Sequence, residues 1–247
     1  MAGLTVKFLG SGDAFGHGGR LQACILLQWE GRRVLLDCGA SALISLQRYG
    51  VDPGTIDGIL ISHLHGDHFG GLPFFILDAQ LFSKRTRPLL LAGPKGLASR
   101  LVDSLEVNFP RASRIQRKFA TQVTELTPSA TVDWCGLSVR VAEGLHASGA
   151  PALALRVEAA GKSLAYTGDT QWVDDLTPLL SGADLLIAEA YFYERPIKYH
   201  LSCTDVLKRR GELNPGRLIF THMSQDMLAH VDELPGETAD DGMELEL

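Results

Sequence analysis

Three imidazoles and a carboxylate crowd into one short segment, Ile59-Leu-Ile-Ser-His-Leu-His-Gly-Asp-His-Phe-Gly-Gly-Leu, directly behind an apolar run. His63, His65, Asp67 and His68 form an HxHxDH motif. Imidazole nitrogen and carboxylate oxygen are borderline-to-hard donors that suit zinc and its neighbours among the divalent metals. Gly66, Gly70 and Gly71 predict tight turning that lets the four side chains fan toward one point. A polar surface loop explains one such histidine, but not four donors at this spacing. Three more donors stand where apolar runs end: His146 in Glu-Gly-Leu-His-Ala-Ser, Asp169 in Tyr-Thr-Gly-Asp-Thr, and His222 in Phe-Thr-His-Met-Ser. Alone, Asp169 reads as a turn aspartate and the two histidines as satisfied ones. Together with the cluster they make seven donors, too many for one tetrahedral site and enough for two adjacent sites sharing a carboxylate, with a water between the metals.

That arithmetic bears on the substrate. Two divalent cations bring four positive charges, the carboxylates of Asp67 and Asp169 remove two and a bridging hydroxide one, so about one positive charge remains. Such a centre favours an anionic substrate and a transition state that gains negative charge. Two cations can bind a phosphoryl oxygen and lower the pKa of the attacking water from near 15.7 to about 7. Phosphodiester hydrolysis fits. Zinc leads among the metals, with manganese and iron served by the same donors.

The elements that must position these residues are legible in outline. Strand-length apolar runs occur at Leu4–Leu9, Ala23–Trp29, Arg33–Asp37, Ile56–Ile61, Leu89–Ala92, Leu137–Val141, Leu153–Val157, Leu164–Thr167, Leu185–Ala188 and Leu218–Thr221, and Met243–Leu247 reads as a short alternating strand. Helices are expected over Ser41–Tyr49, from Pro94 through Leu97, Leu101, Val102 and Leu105, and over Val206–Arg210 behind the capping-box pair Ser202 and Asp205. Several strands follow one another without a helix, which disfavours a doubly wound parallel sheet. Two mixed sheets packed face to face with helices outside, an α+β sandwich, fit better. The 247 residues contain no linker, repeat or low-complexity stretch, so residues 1–247 are read as one domain.

Composition narrows the setting. A net charge of −6 argues against a broad nucleic-acid surface, so RNA is less favoured than a small or nucleotide phosphodiester. The opening residues lack a secretory pattern and no apolar run reaches the roughly 18 residues of a membrane helix, giving a cytoplasmic expectation with no membrane partner. Cys24, Cys38, Cys135 and Cys203, without CxxC spacing, are expected to be reduced and buried.

These motifs resemble the metallo-β-lactamase superfamily, and within it ribonuclease Z-type phosphodiesterases. The likeness rests on HxHxDH, His146, Asp169 within TGDT and His222 within FTHMS, and on Val6-Lys-Phe-Leu-Gly-Ser-Gly, Leu35-Leu-Asp-Cys-Gly and Gly93-Pro-Lys-Gly-Leu. The resemblance implies the αβ/βα sandwich. It implies that His63, His65 and His146 hold one metal, that Asp67, His68 and His222 hold the other, that Asp169 bridges, and that Asp37 supports the site without binding metal. It also implies that His200, in Lys198-Tyr-His-Leu-Ser, assists departure of the leaving oxygen. Asp67 and His200 are thereby the residues read as catalytic, while His17 and His230 stand aside. Long ribonuclease Z proteins carry a tRNA-gripping arm between the residues matching His146 and Asp169. Only residues 147–168 separate them here, room for a hairpin through Gly161-Lys162 and no arm. A tRNA 3′ endonuclease and a thioester or lactone hydrolase of the glyoxalase II type are the alternatives. A secreted β-lactamase lacks its leader, a flavodiiron protein would replace His65 by a carboxylate, and a non-enzymatic metal binder would lose ligands. Arg20, in the glycine-rich loop 10–20, reads either as a phosphate contact or as part of a simple turn, the turn being favoured. A homodimer is common among similar proteins.

Overall fold

A computed structural model describes residues 3–128 and 130–247. Among the described residues the apolar runs build two seven-stranded sheets. The first contains β1 (Thr5–Gly10), β2 (Cys24–Trp29), β3 (Arg32–Leu36), β4 (Gly58–Leu60), β5 (Leu89–Pro94) and β6 (Thr121–Leu126). The second contains β7 (Thr131–Trp134), β8 (Leu137–Gly144), β9 (Ala152–Ala159), β10 (Lys162–Tyr166), β11 (Leu185–Glu189), β12 (Arg217–Thr221) and β13 (Glu237–Thr238). β14 (Glu244–Glu246) returns to the first, giving the orders β14-β1-β2-β3-β4-β5-β6 and β13-β12-β11-β10-β9-β8-β7. Both sheets are mixed. β3 through β6 and β10 through β13 run parallel, and the remaining pairs run antiparallel.

The antiparallel halves are closed by tight hairpins. Glu30-Gly31, Cys135-Gly136 and Ala160-Gly161 all have positive φ at both turn positions, the geometry that follows the natural strand twist. The hairpin expected between His146 and Asp169 is the last of these, with its turn one residue earlier than the sequence suggests.

Helices supply the parallel crossovers: α1 (Ala42–Arg48), α2 (Gly66–Phe69), α3 (Leu72–Leu81), α4 (Leu97–Asn108), α5 (Leu176–Leu180), α6 (Cys203–Leu213) and α7 (Gln225–Leu228). Strand alternation sends one set of side chains between the sheets and the other outward. Phe8, Leu27, Leu36 and Leu60 meet Leu155, Val157, Tyr166 and Ile187 in the central layer. Leu26, Leu35, Ile59 and Leu91 face out under α1, α3 and α4, and Ala154, Ala165, Leu186 and Phe220 face out under α5, α6 and α7. The result is the four-layer arrangement expected from the sequence.

Details differ. Pro94 closes β5 instead of opening a helix; α4 starts behind Gly96, which adopts φ 95°. Ile56–Ile61 contributes a strand only over Gly58–Leu60. None of Gly66, Gly70 or Gly71 has positive φ. Gly71 is required for close approach, because a Cβ there would stand 2.2 Å from the Gly39 carbonyl oxygen. The four cysteines are free; Cys24, Cys38 and Cys203 are buried and Cys135 is half-buried. No helix among the described residues is long and apolar enough to cross a membrane.

Candidate metal centre

Every donor singled out by the sequence lies just beyond the carboxyl end of a strand, and all those strand ends face one edge of the sandwich. Asp37 follows β3, the His63–His68 segment follows β4, His146 follows β8, Asp169 follows β10 and His222 follows β12. The edge joins the sheets directly, since the Leu153 amide donates to the Ser62 carbonyl at 2.9 Å. Parallel strands place these loops side by side, on a rigid scaffold where loop residues can converge.

The seven donors fall into two groups. His63, His65 and His146 form one, and Asp67, His68, Asp169 and His222 the other, with the donor atoms of each group within 4.8 Å of one another. Asp169 connects them. Its Oδ2 lies 3.9 Å from His63 Nε2 and 3.3 Å from His222 Nε2, and its Oδ1 lies 3.3 Å from His68 Nε2. His65 Nδ1 and His146 Nε2 approach to 2.9 Å. His222 Nε2 stands 3.2 Å from Asp67 Oδ2, and His68 Nε2 3.4 Å from the same oxygen.

Three of these atoms argue for cations. Among the described residues buried His63 Nε2 has no hydrogen-bond partner, and buried His68 Nε2 and Asp169 Oδ1 have only each other, 3.3 Å apart and without good hydrogen-bond geometry. Buried polar atoms are rarely left without good partners, because desolvation that goes uncompensated, as at His63 Nε2, costs about 1–3 kcal/mol. All three aim into the centre of the cluster, so the residues fit two divalent ions.

Electrostatics point the same way. Burial would raise the Asp67 carboxyl, yet His68 and His222 beside it outweigh that and hold it well below the usual carboxylate range. Burial would lower His222, but Asp169 and the Asp67 hydrogen bond push it up to about 9. His68 is likewise raised against its burial by Asp169, Asp37 and Asp67. Clustered carboxylates thus call for positive charge at this point. His63, lowered by burial and by His68, is neutral and ready to donate its lone pair.

Outer partners fix the rings. Asp37, in left-handed backbone at φ 60°, accepts from His68 Nδ1 at 2.7 Å, Ser62 Oγ at 2.8 Å, Tyr166 Oη at 3.0 Å and the Ser62 amide at 2.7 Å. Its carboxylate is therefore saturated and turned away from the cluster's centre, the supporting position the resemblance implies. His146 donates Nδ1–H to the Tyr199 carbonyl at 2.8 Å.

His200 lies beside the cluster. Its Nδ1 donates to Glu189 Oε2 at 2.8 Å, and its ring stacks on Tyr191 with centroids 5.0 Å apart. Burial alone would lower His200; the Glu189 hydrogen bond outweighs it and the imidazole is raised. Glu189 is fully buried and accepts from the Thr170 amide as well; burial and then Asp169 push it up to about 6. Sequence reasoning missed Glu189. Its signal was a charged residue ending the apolar run Leu185-Leu-Ile-Ala, where an acid buried in a strand needs a partner.

The remaining candidates stand apart. His17 donates Nδ1–H to buried Asp13 at 2.6 Å, and His230 stacks on Tyr193 at 4.5 Å; among the described residues neither belongs to a group able to hold a metal. Arg20 is tied to Ala239 and Asp240, 3.5 Å from each, so it braces the loop 10–20 against the C-terminal segment. Beside Asp67 opens a cleft of about 790 Å³, lined by Gln22, Leu64, Gly66, Phe74 and Arg100.

Comparison with known proteins agrees with this geometry. The family model of Anti-Pycsar protein Apyc1 matches residues 4–234. Ribonuclease Z of Pyrobaculum neutrophilum is 30% identical over 256 residues, covering 90% of this chain and 87% of that one. The short form of human tRNase Z superposes with a TM-score of 0.80 at 26% identity over 98% of each chain. The metallo-β-lactamase fold protein YhfI from Bacillus subtilis, at 22% identity and a TM-score of 0.78 over 98% of this chain and 99% of that one, shares the fold.

Proposed function

The chain belongs to the Anti-Pycsar protein Apyc1 family, in the ribonuclease Z-like branch of the metallo-β-lactamase superfamily, and from that membership we propose that its site hydrolyses a small nucleotide phosphodiester, cyclic or linear. The chain is a metal-dependent phosphodiester hydrolase. One observation carries the reading: two donor groups meet at Asp169, with buried His63 Nε2 left unpartnered beside it and His68 Nε2 facing it without good hydrogen-bond geometry. His63, His65 and His146 would hold one cation and Asp67, His68 and His222 the other, with Asp169, within reach of both groups, serving the two. Zinc is the metal proposed, with manganese or iron able to use the same donors.

Bound cations supply Lewis acidity toward the phosphoryl oxygens and a nucleophile available at neutral pH. The chain's own residues do the rest. Asp37 holds His68 in the tautomer whose Nε2 faces inward. Glu189 accepts Nδ1–H of His200 and favours the protonated ring, whose opposite nitrogen then also carries a proton that can pass to the departing alkoxide. Tyr191 keeps that ring in plane. The cleft beside Asp67 lies in the range of about 300–1,000 Å³ that accommodates small ligands, and supports a mononucleotide over folded RNA. The short β9–β10 hairpin, standing where long ribonuclease Z proteins carry an arm, supports the same choice. We extend the reading to one cytoplasmic domain over residues 1–247 acting as a homodimer, which sedimentation would check.

A substrate panel tests it. Bis-p-nitrophenyl phosphate and cyclic mononucleotides should turn over, with little action on nitrocefin, S-lactoylglutathione or a tRNA precursor. Preference for the thioester or lactam sinks the phosphodiesterase reading; preference for the tRNA precursor moves it to the endonuclease.

A further inference from the structure

The carbonyl that orients His146 belongs to Tyr199, a bulky residue in left-handed backbone at φ 73°. L-residues avoid this region because Cβ crowds the carbonyl that follows, so a tyrosine stays there only where its surroundings over-determine it. Two contacts do so. The Tyr199 amide donates to Gln171 Oε1 at 3.4 Å, and the Tyr199 carbonyl accepts from His146 Nδ1 at 2.8 Å. Gln171 is itself anchored, its amide donating to the Leu145 carbonyl at 3.0 Å. A closed circuit of main-chain and side-chain bonds therefore runs Leu145, Gln171, Tyr199, His146. The tyrosine ring stands outside it, with the Lys198 ammonium 4.6 Å from its centroid and the His146 ring centre 6.5 Å away.

We propose that Tyr199 is a positioning residue that works through its main chain: its left-handed turn fixes the tautomer and aim of His146 and sets the stance of the adjacent His200. The inference rests on reading His146 as a metal ligand and His200 as the proton donor. With Nδ1–H committed to a carbonyl, His146 Nε2 keeps its lone pair and faces His65 Nδ1. Because the next residue is His200, the same turn joins a metal ligand to the acid. Gln171, two residues beyond Asp169, links the turn to the bridging carboxylate's loop.

The test compares Y199G, Y199N and Y199V in the full chain. Three quantities are read: the His146 tautomer from nitrogen chemical shifts of metal-stripped protein, zinc affinity by chelator competition, and the ratio of rates for poor and good leaving groups. Wild type should show Nδ1–H on His146. Glycine and asparagine tolerate positive φ, so Y199G and Y199N should keep zinc affinity within about threefold and the leaving-group ratio unchanged. Valine, β-branched, cannot hold the turn; Y199V should lose the Nδ1–H signature and about 10–100-fold in zinc affinity. An Nε2–H tautomer in wild type, equal affinities for Y199G and Y199V, or a Y199G as weak as Y199V overturns the proposal. If Y199V does not fold, the wild-type tautomer and the Y199G and Y199N affinities decide it. A wild type that takes up no zinc, manganese or iron would instead remove the reading of the site beneath it.

Discussion

His146 and His200 differ in the group that accepts Nδ1–H and in their place relative to the seven donors, and the two together separate their roles. His146 gives Nδ1–H to a neutral carbonyl, whereas His200 gives it to the buried carboxylate of Glu189. A neutral carbonyl only orients a ring, whereas a carboxylate also raises its proton affinity. That strengthens a ligand inside the donor groups, as Asp37 does for His68, and suits an acid in His200, which lies outside the seven donors. His200→Ala should therefore leave metal content near wild type and slow substrates with poor leaving groups by about 10²–10⁴-fold, with a small effect on p-nitrophenyl esters. Metal analysis and paired kinetics check this. Loss of metal would instead make His200 a ligand in the group it forms with Asp169, Glu189 and His222. Equal losses on both leaving groups would leave it only an orienting role. Glu189→Gln keeps an acceptor for the Thr170 amide but removes the charge, so it should show the same leaving-group dependence, less steeply. Asp67→Ala is the contrast. It strips a donor from one cation group, and should lower metal occupancy and activity on every substrate alike.

At the scale of elements, the short pieces around the site carry more strain and specificity than the long strands. α6 begins immediately behind His200 and is closed by Ser202, which accepts from the Asp205 amide at 3.2 Å while Asp205 reaches back to the Ser202 amide. Ser202→Ala should cost about 1 kcal/mol, the usual weight of an N-cap, read by denaturant titration. A loss of metal-dependent activity far beyond that would mean the cap also steadies the His200 turn. These short features explain what the sequence could and could not reveal. Strands such as β4, β10 and β12 are almost wholly buried and read as apolar runs, and six of the seven donors sit just beyond their ends, His146 following β8. β6, Thr-Gln-Val-Thr-Glu-Leu, is an edge strand with polar residues along it, and its strand character comes from pairing with β5. α3, Leu-Pro-Phe-Phe-Ile-Leu-Asp-Ala-Gln-Leu, is apolar around much of its circumference, so helical periodicity is muted. The left-handed turns at Asp37, Tyr199 and His222 are invisible in residue type because tertiary bonds impose them. Glu189 escaped notice because a carboxyl inside an apolar strand gains meaning only beside His200 and Thr170.

Across the whole molecule, the metal centre is a clasp between two halves. His63, His65, Asp67 and His68 belong to the sheet of β1 through β6, and His146, Asp169 and His222 to the sheet of β7 through β13. Each donor group draws on both: His63 and His65 meet His146, and Asp67 and His68 meet Asp169 and His222. Cations bound there would cross-link loops that also touch through contacts such as Leu153 to Ser62 and His222 to Ser11. A ligand that binds only the folded state stabilises it by about 2.7 kcal/mol at a hundred times its Kd and about 4.1 kcal/mol at a thousand times. For a chain of this size those energies correspond to roughly 5–15 °C in Tm. Chelation should lower Tm by that amount, and zinc added back should restore it. The apolar layer between the sheets is independent of the metal, so the stripped protein should stay folded and melt cooperatively. Hydrogen exchange should then show faster opening in both donor loops together, at residues 63–68 and at 146, 169 and 222. If the cations leave and Tm does not move, the clasp is not where the halves are held. If only the first loop loosens, the two donor groups are not shared between the sheets in solution.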